Sequence, residues 1–201
     1  MSDAREDISY MRQLAEQGRR GPIVGGTFFV AAGIVFGAAC LADGAARAGL
    51  LPISGWEFLY LWLGAFAVFG LVWRALYFRL RSFPGKATSG SNAAFGIAWS
   101  ACAVGVFVAL AAVEIVAAVI NAPIVLNAYI PMIFVLYGIA WFTTAAIARR
   151  HWMFAAAAGS FAFSLIMAAL AENKLQVAVM GLALLLLLTL PGLLLMKEET
   201  R

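Results

Sequence analysis

AAFGIAWSACAVGVFVALAAV, running from Ala93 to Val113, meets no charged residue until Glu114. A helix needs about 20 mostly apolar residues to cross a hydrocarbon layer ~30 Å thick at ~1.5 Å rise per residue. This stretch is long enough, and five more of its kind flank it. The six runs fall at about 22–42, 57–78, 93–120, 127–148, 152–171 and 175–195. They are continuous and rich in Ala, Leu and Gly, whereas barrel strands alternate in short segments. The pattern predicts an all-α fold, a polytopic integral membrane bundle of six transmembrane helices.

Composition supports that class. The chain of 201 residues is 64% hydrophobic and 12% charged, against roughly 25% charged in soluble domains, and its mean hydropathy is +0.94. The connections are short, so consecutive helices are expected side by side and antiparallel. The spans leave residues 1–21 as an N-terminal segment, 22–195 as the six-helix domain and 196–201 as a tail.

Charge position gives the orientation. Of the fourteen basic residues, only Arg47 and Lys174 fall on one side of the six spans. The rest cluster before the first span, after the second, between the fourth and fifth, and after the sixth. The positive-inside rule then predicts that both termini are cytoplasmic. Placed at span boundaries, these residues explain the net charge of +4 without a nucleic-acid surface, so no nucleic-acid partner is expected. The Arg-over-Lys bias and the Ala and Gly richness suggest a bacterial source, hence a multi-pass protein of the inner membrane.

Residues 3–18 read as an amphipathic helix. Asp3 and Glu6 fit a capping box, and Ile8, Met11, Leu14 and Ala15 share a face. The helix is expected to lie at the membrane interface with Arg12, Arg19 and Arg20 near headgroups, or to dock a protein partner. Arg74, Arg79, Arg81 and Lys86 form a second candidate headgroup site at the end of the second span. Phe36-Gly37-Ala38-Ala39-Cys40 loosely resembles a lipoprotein cleavage site. Gly37 stands where Leu is usual and the apolar run is too long for a signal peptide, so the first span is read as uncleaved.

Small residues predict helix contacts. Gly26, Gly33 and Gly37 lie along one stripe of the first span, with Gly33 and Gly37 forming a GxxxG pair. Gly105 in the third span and Gly159 in the fifth offer partners. The stripe is expected to pack within the chain, with a homo-oligomer seam as the alternative. Trp56 on one side, and Trp73, Trp99 and Trp152 on the other, read as interfacial anchors. The sixth span has nothing polar between Leu184 and Leu188, and Pro191-Gly192 should kink its last turn. Cys40 and Cys102 give no disulfide framework.

Glu114 is the residue with most chemical potential. It lies within the third span, roughly one to two turns from its outer end. A carboxylate in a span costs at least ~2.5 kcal/mol, so it should face protein or water, with Asn121, Asn127, Arg47 or Lys174 as partners. It is the candidate proton or cation site. His151 is the one histidine and falls at a span boundary, so neither a Ser–His–acid arrangement, a metal site nor haem ligation is supported. No catalytic residue, metal or cofactor is assigned. The expected function is a non-enzymatic subunit, scaffold or regulatory partner of a membrane complex. The alternative is a small transporter or channel using Glu114.

Overall fold

A computed structural model describes residues 25–81 and 90–199. The described residues are helical, without strands, and hold six helices long and apolar enough to cross a membrane. These are α1 (Gly26–Arg47), α2 (Glu57–Arg81), α3 (Gly90–Val119), α4 (Tyr129–Ala148), α5 (His151–Ala169) and α6 (Gln176–Glu199). A 3-10 turn, Pro123–Ala128, leads into α4. The segment 3–18 and residues Arg12, Arg19, Arg20 and Lys86 lie outside the described residues.

α1 continues one turn past the expected boundary at residue 42. Asp43 and Arg47 are an i,i+4 ion pair within the helix, so two charges that read as loop instead extend it.

The first and last helices form the centre. α1 and α6 run antiparallel, with Gly26 against Gly192 and Gly44 against Ala178. A Cβ on Gly26 would lie 2.6 Å from the Gly192 carbonyl, and one on Gly192 would lie 2.8 Å from the Gly26 carbonyl. Only glycine permits this approach of two backbones, which is how helices associate where lipid removes the hydrophobic drive. Gly33 meets Thr189, and Gly37 meets Leu185 and Gly181. The glycine stripe of α1 therefore packs on α6, not on the third or fifth span. Gly105 touches Leu136 on α4, and Gly159 touches Leu187 on α6.

α4 and α5 form the closest hairpin, and α3 packs on α4. α2 packs on α1, with Ala65 the buried side chain along its described length. α2 and α3 are consecutive yet scarcely meet. α2 leans on α1, through Phe36 with Phe66, while α3 leans on α4 and meets α1 through the rings of Phe95 and Trp99 against Phe29. The expectation that every consecutive pair lies side by side fails at this step.

An aromatic cluster fills the half of the bundle nearer the end where Gly25 and Glu199 meet. Trp99 and Trp141 have ring centroids 5.0 Å apart, Phe29 lies 4.4 Å from Trp99, and Trp152 lies 6.2 Å from Trp141. Trp99 and Trp152, expected as interfacial anchors, are half-buried and turn their rings into this cluster. Trp56 and Trp73 are exposed.

Candidate functional site

Four places in the fold carry polar chemistry. The first is the shared terminal face. Glu199 Oε1 accepts the backbone N–H groups of Gly25 at 3.0 Å and Gly26 at 3.1 Å. Those are orphan donors at the start of α1, and a carboxylate there is favoured by the helix dipole. Beside it, Glu198 pairs with Arg150 at 3.1 Å and accepts from the Trp152 indole at 3.3 Å. The last turn of α6 is thereby tied to the start of α1 and to the α4–α5 turn.

The second lies inside α6. Pro191 has no N–H and cannot donate to the carbonyl four residues back, that of Leu187. The helix widens into a π turn over Leu185–Thr189, and the fully buried indole of Trp141 donates to the Leu187 carbonyl at 3.1 Å. An unpaired carbonyl in an apolar interior is expensive, so a neighbouring helix supplies the donor. The distortion attributed to Pro191-Gly192 thus appears upstream of them, where the freed carbonyl is. The Thr189 hydroxyl in this turn is buried and makes no hydrogen bond.

The third is at the opposite end of α1. Asp43 is 2% exposed. Its Oδ1 accepts from Arg47 Nε, and its Oδ2 accepts from the Trp62 indole at 2.9 Å. Arg47 also stacks over the Phe58 ring, 5.3 Å from its centroid. Both carboxylate oxygens are engaged, so the group ties α2 to α1. Sequence reading missed Asp43 because it looked like the start of a loop. Its spacing to Arg47 was the available signal.

The fourth is Glu114 on α3. It is exposed, and no described residue pairs with it. Val113 and Ala117 are the buried neighbours, while Ala111 and Ala118 share Glu114's exposure. The carboxylate therefore points away from the bundle interior rather than into protein, because α4 covers the adjacent face of α3. Asn121, Asn127, Arg47 and Lys174 do not partner it.

Of the candidate headgroup residues, Arg74 is exposed with its guanidinium 5.2 Å from the Phe78 ring centroid. The side chains of Arg79 and Arg81 lie outside the described residues. His151 is exposed at the start of α5, and Cys40 and Cys102 are buried and free. Among the described residues no cluster of His, Cys, Asp or Glu is arranged to hold a metal. No protein-family model, curated protein or solved structure matches the chain.

Proposed function

We propose that this chain is a multi-pass protein of a bacterial inner membrane, with both termini cytoplasmic, and that it acts as a non-enzymatic subunit, scaffold or regulatory partner of a membrane complex. The observation that carries this reading is where its polar and apolar groups point. The carboxylate of Glu114 faces outward, while rings and close-packed glycines occupy the interior between α1, α4 and α6. A transport site would be expected to line an internal path near the middle of the bundle. The engaged carboxylates, Asp43 and Glu199, hold helices together.

Further support comes from α2. Leu59, Leu63, Leu71 and Tyr77 are exposed along it, and Gly64 and Gly70 face open space. Such a helix suits contact with lipid and with other transmembrane segments. Arg74, Arg149 and Lys197 are exposed at the end shared by Gly25 and Glu199, in keeping with a cytoplasmic face.

Reconstitution tests the reading against transport. Proteoliposomes holding the purified chain are expected to pass protons and monovalent cations no faster than empty liposomes. A flux that Glu114→Gln abolishes would replace the subunit reading with the transporter.

A further inference from the structure

The connection from α1 to α2, residues 48–56, carries no charge, and hydrogen bonds fix both of its ends. Gly49, at φ 79°, and Leu50 donate their N–H groups to the carbonyls of Ala46 and Ala45, the paired bonds that end a helix through a left-handed glycine. At the other end the Glu57 carboxylate turns back to accept the Ser54 N–H at 2.8 Å, and the Ser54 carbonyl accepts from the Glu57 N–H. Arg47 is likewise held, by Asp43 and over the Phe58 ring. What this frame presents outward is apolar. Leu50 is 76% exposed and Trp56 75%, and Leu51 is exposed beside them. An apolar residue just past such a glycine commonly packs back on the helix it ends; Leu50 does not. The Trp56 carbonyl accepts the Tyr60 N–H, so Trp56 starts the spiral of α2. Tyr60 and Leu63, about one and two turns further on, share its face and its exposure.

We propose that this loop is a membrane-dipping anchor: Leu50, Leu51 and Trp56 sit in the boundary between headgroups and acyl chains, in the leaflet at the end of the bundle away from Gly25 and Glu199. The inference rests on the six helices spanning a bilayer, and not on which side is cytoplasmic. Position names the occupant. Joining two spans, the loop starts and ends at the boundary of the hydrocarbon layer. The exposed strip of Trp56, Tyr60 and Leu63 runs from the loop into the part of α2 that faces acyl chains, so the same lipid lies beneath the loop. Tryptophan suits that depth, with an apolar ring and an N–H that reaches water. Without a charge between Arg47 and Glu57, the loop gains nothing from anionic headgroups and inserts by apolar burial alone. The α5–α6 turn at the same end is the contrast, for Glu172, Asn173 and Lys174 stand exposed there and suit water. The consequence falls on α2, which packs on α1 and scarcely on any other helix. Lipid holds the end of α2 that protein leaves uncovered.

Cysteine substitutions carrying an environment-sensitive fluorophore test this on the full chain in phosphatidylcholine vesicles. Cys40 and Cys102 are buried, and the unsubstituted chain measures any label they take. Labels at Leu50→Cys and Trp56→Cys are expected about 5–10 Å below the headgroup surface, quenched by lipids brominated near the carbonyl end of the acyl chain and shielded from aqueous iodide. Lys174→Cys should be quenched by iodide. Val68→Cys, exposed near the middle of α2, should be quenched most by lipids brominated near the chain end. Adding phosphatidylglycerol should leave these depths unchanged. Iodide quenching at Leu50→Cys and Trp56→Cys equal to that at Lys174→Cys would put the loop in water and overturn the proposal. So would shielding from iodide and lipid bromine alike, since protein would then cover the loop. An insertion that requires phosphatidylglycerol would overturn its apolar basis. A Val68→Cys label beyond reach of the lipid bromines would remove the spanning reading and the anchor with it, whereas a loop in water with Val68→Cys in lipid removes the anchor alone.

Discussion

The indole of Trp141 on α4 donates to the carbonyl of Leu187 on α6, the acceptor that Pro191 leaves without its helical donor. A single proline thus sets the π turn at Leu185–Thr189, and a tryptophan from another helix completes its hydrogen bonding. The indole and the carbonyl it serves stand 46 residues apart in sequence. Removing either half has a calculable consequence.

Trp141→Phe keeps most of the ring packing and orphans the Leu187 carbonyl, which should cost about 1–3 kcal/mol. Pro191→Ala restores an N–H that can reach that carbonyl. In the Pro191→Ala background the penalty of Trp141→Phe should shrink by about 1 kcal/mol, a coupling that a double-mutant cycle in detergent measures. Strict additivity would mean that the indole and the proline do not share the carbonyl.

Thr189 offers the opposite sign. Its hydroxyl is buried without a partner, so Thr189→Val should be neutral or stabilising by up to about 1 kcal/mol, because an unsatisfied group is removed. By contrast the Thr144 hydroxyl donates to the Ala140 carbonyl at 2.7 Å, and Thr144→Val should give no such gain. Thermal unfolding in detergent compares the two; a loss at Thr189 would show that its hydroxyl is paired in solution.

The α1–α6 seam predicts a contrast among glycines. Gly33→Ala would place a methyl 2.2 Å from Thr189 Oγ1 and 2.8 Å from its backbone nitrogen. Overpacking of that kind costs about 1–3 kcal/mol. Gly64→Ala meets nothing within 4 Å and should gain up to about 1 kcal/mol from helix propensity. Equal melting temperatures for the two variants would contradict the seam.

The tie between Asp43 and Trp62 should be worth more than an exposed contact. Trp62→Phe removes a hydrogen bond to a charged acceptor, about 1.5–3 kcal/mol. Asp43→Ala removes both ties at once, and because Arg47 is half exposed it can turn to solvent, which limits the further loss. Cross-linking between cysteines placed on α1 and α2 should fall in both variants. An unchanged yield would show that the ring contacts of Phe36 alone hold α2.

The six runs were legible because length and continuity of apolar residues suffice to mark a span. Gly26, Gly33 and Gly37 were legible as a packing stripe, since glycine spacing shows on one helix. Their partner was not, because small residues recur on several spans and which one faces α1 is decided by the whole bundle. Asp43 was hidden by its resemblance to a loop start, and its second partner, Trp62, lies on the next helix. Pro191 announced a distortion, but its site depends on the carbonyl one turn earlier and on Trp141. Around Glu114, Leu110, Ala111, Ala117 and Ala118 are all apolar, and nothing in the sequence ranks them by burial. Only the position of α4 separates the covered Ala117 from the open Ala111 and Ala118.

The proposed orientation puts the end shared by Gly25 and Glu199 in the cytoplasm. Reporter fusions after Gly90 and at the C-terminus should both report cytoplasm, by the distribution of basic residues. Fusions that report opposite sides would break the six-span arrangement, and two periplasmic reports would reverse the orientation.

Native mass spectrometry of the tagged chain, purified gently from its own host, tests whether it is a subunit. A stoichiometric second protein is expected to be bound to it. A monomer or homo-oligomer with no other protein would rule the subunit role out.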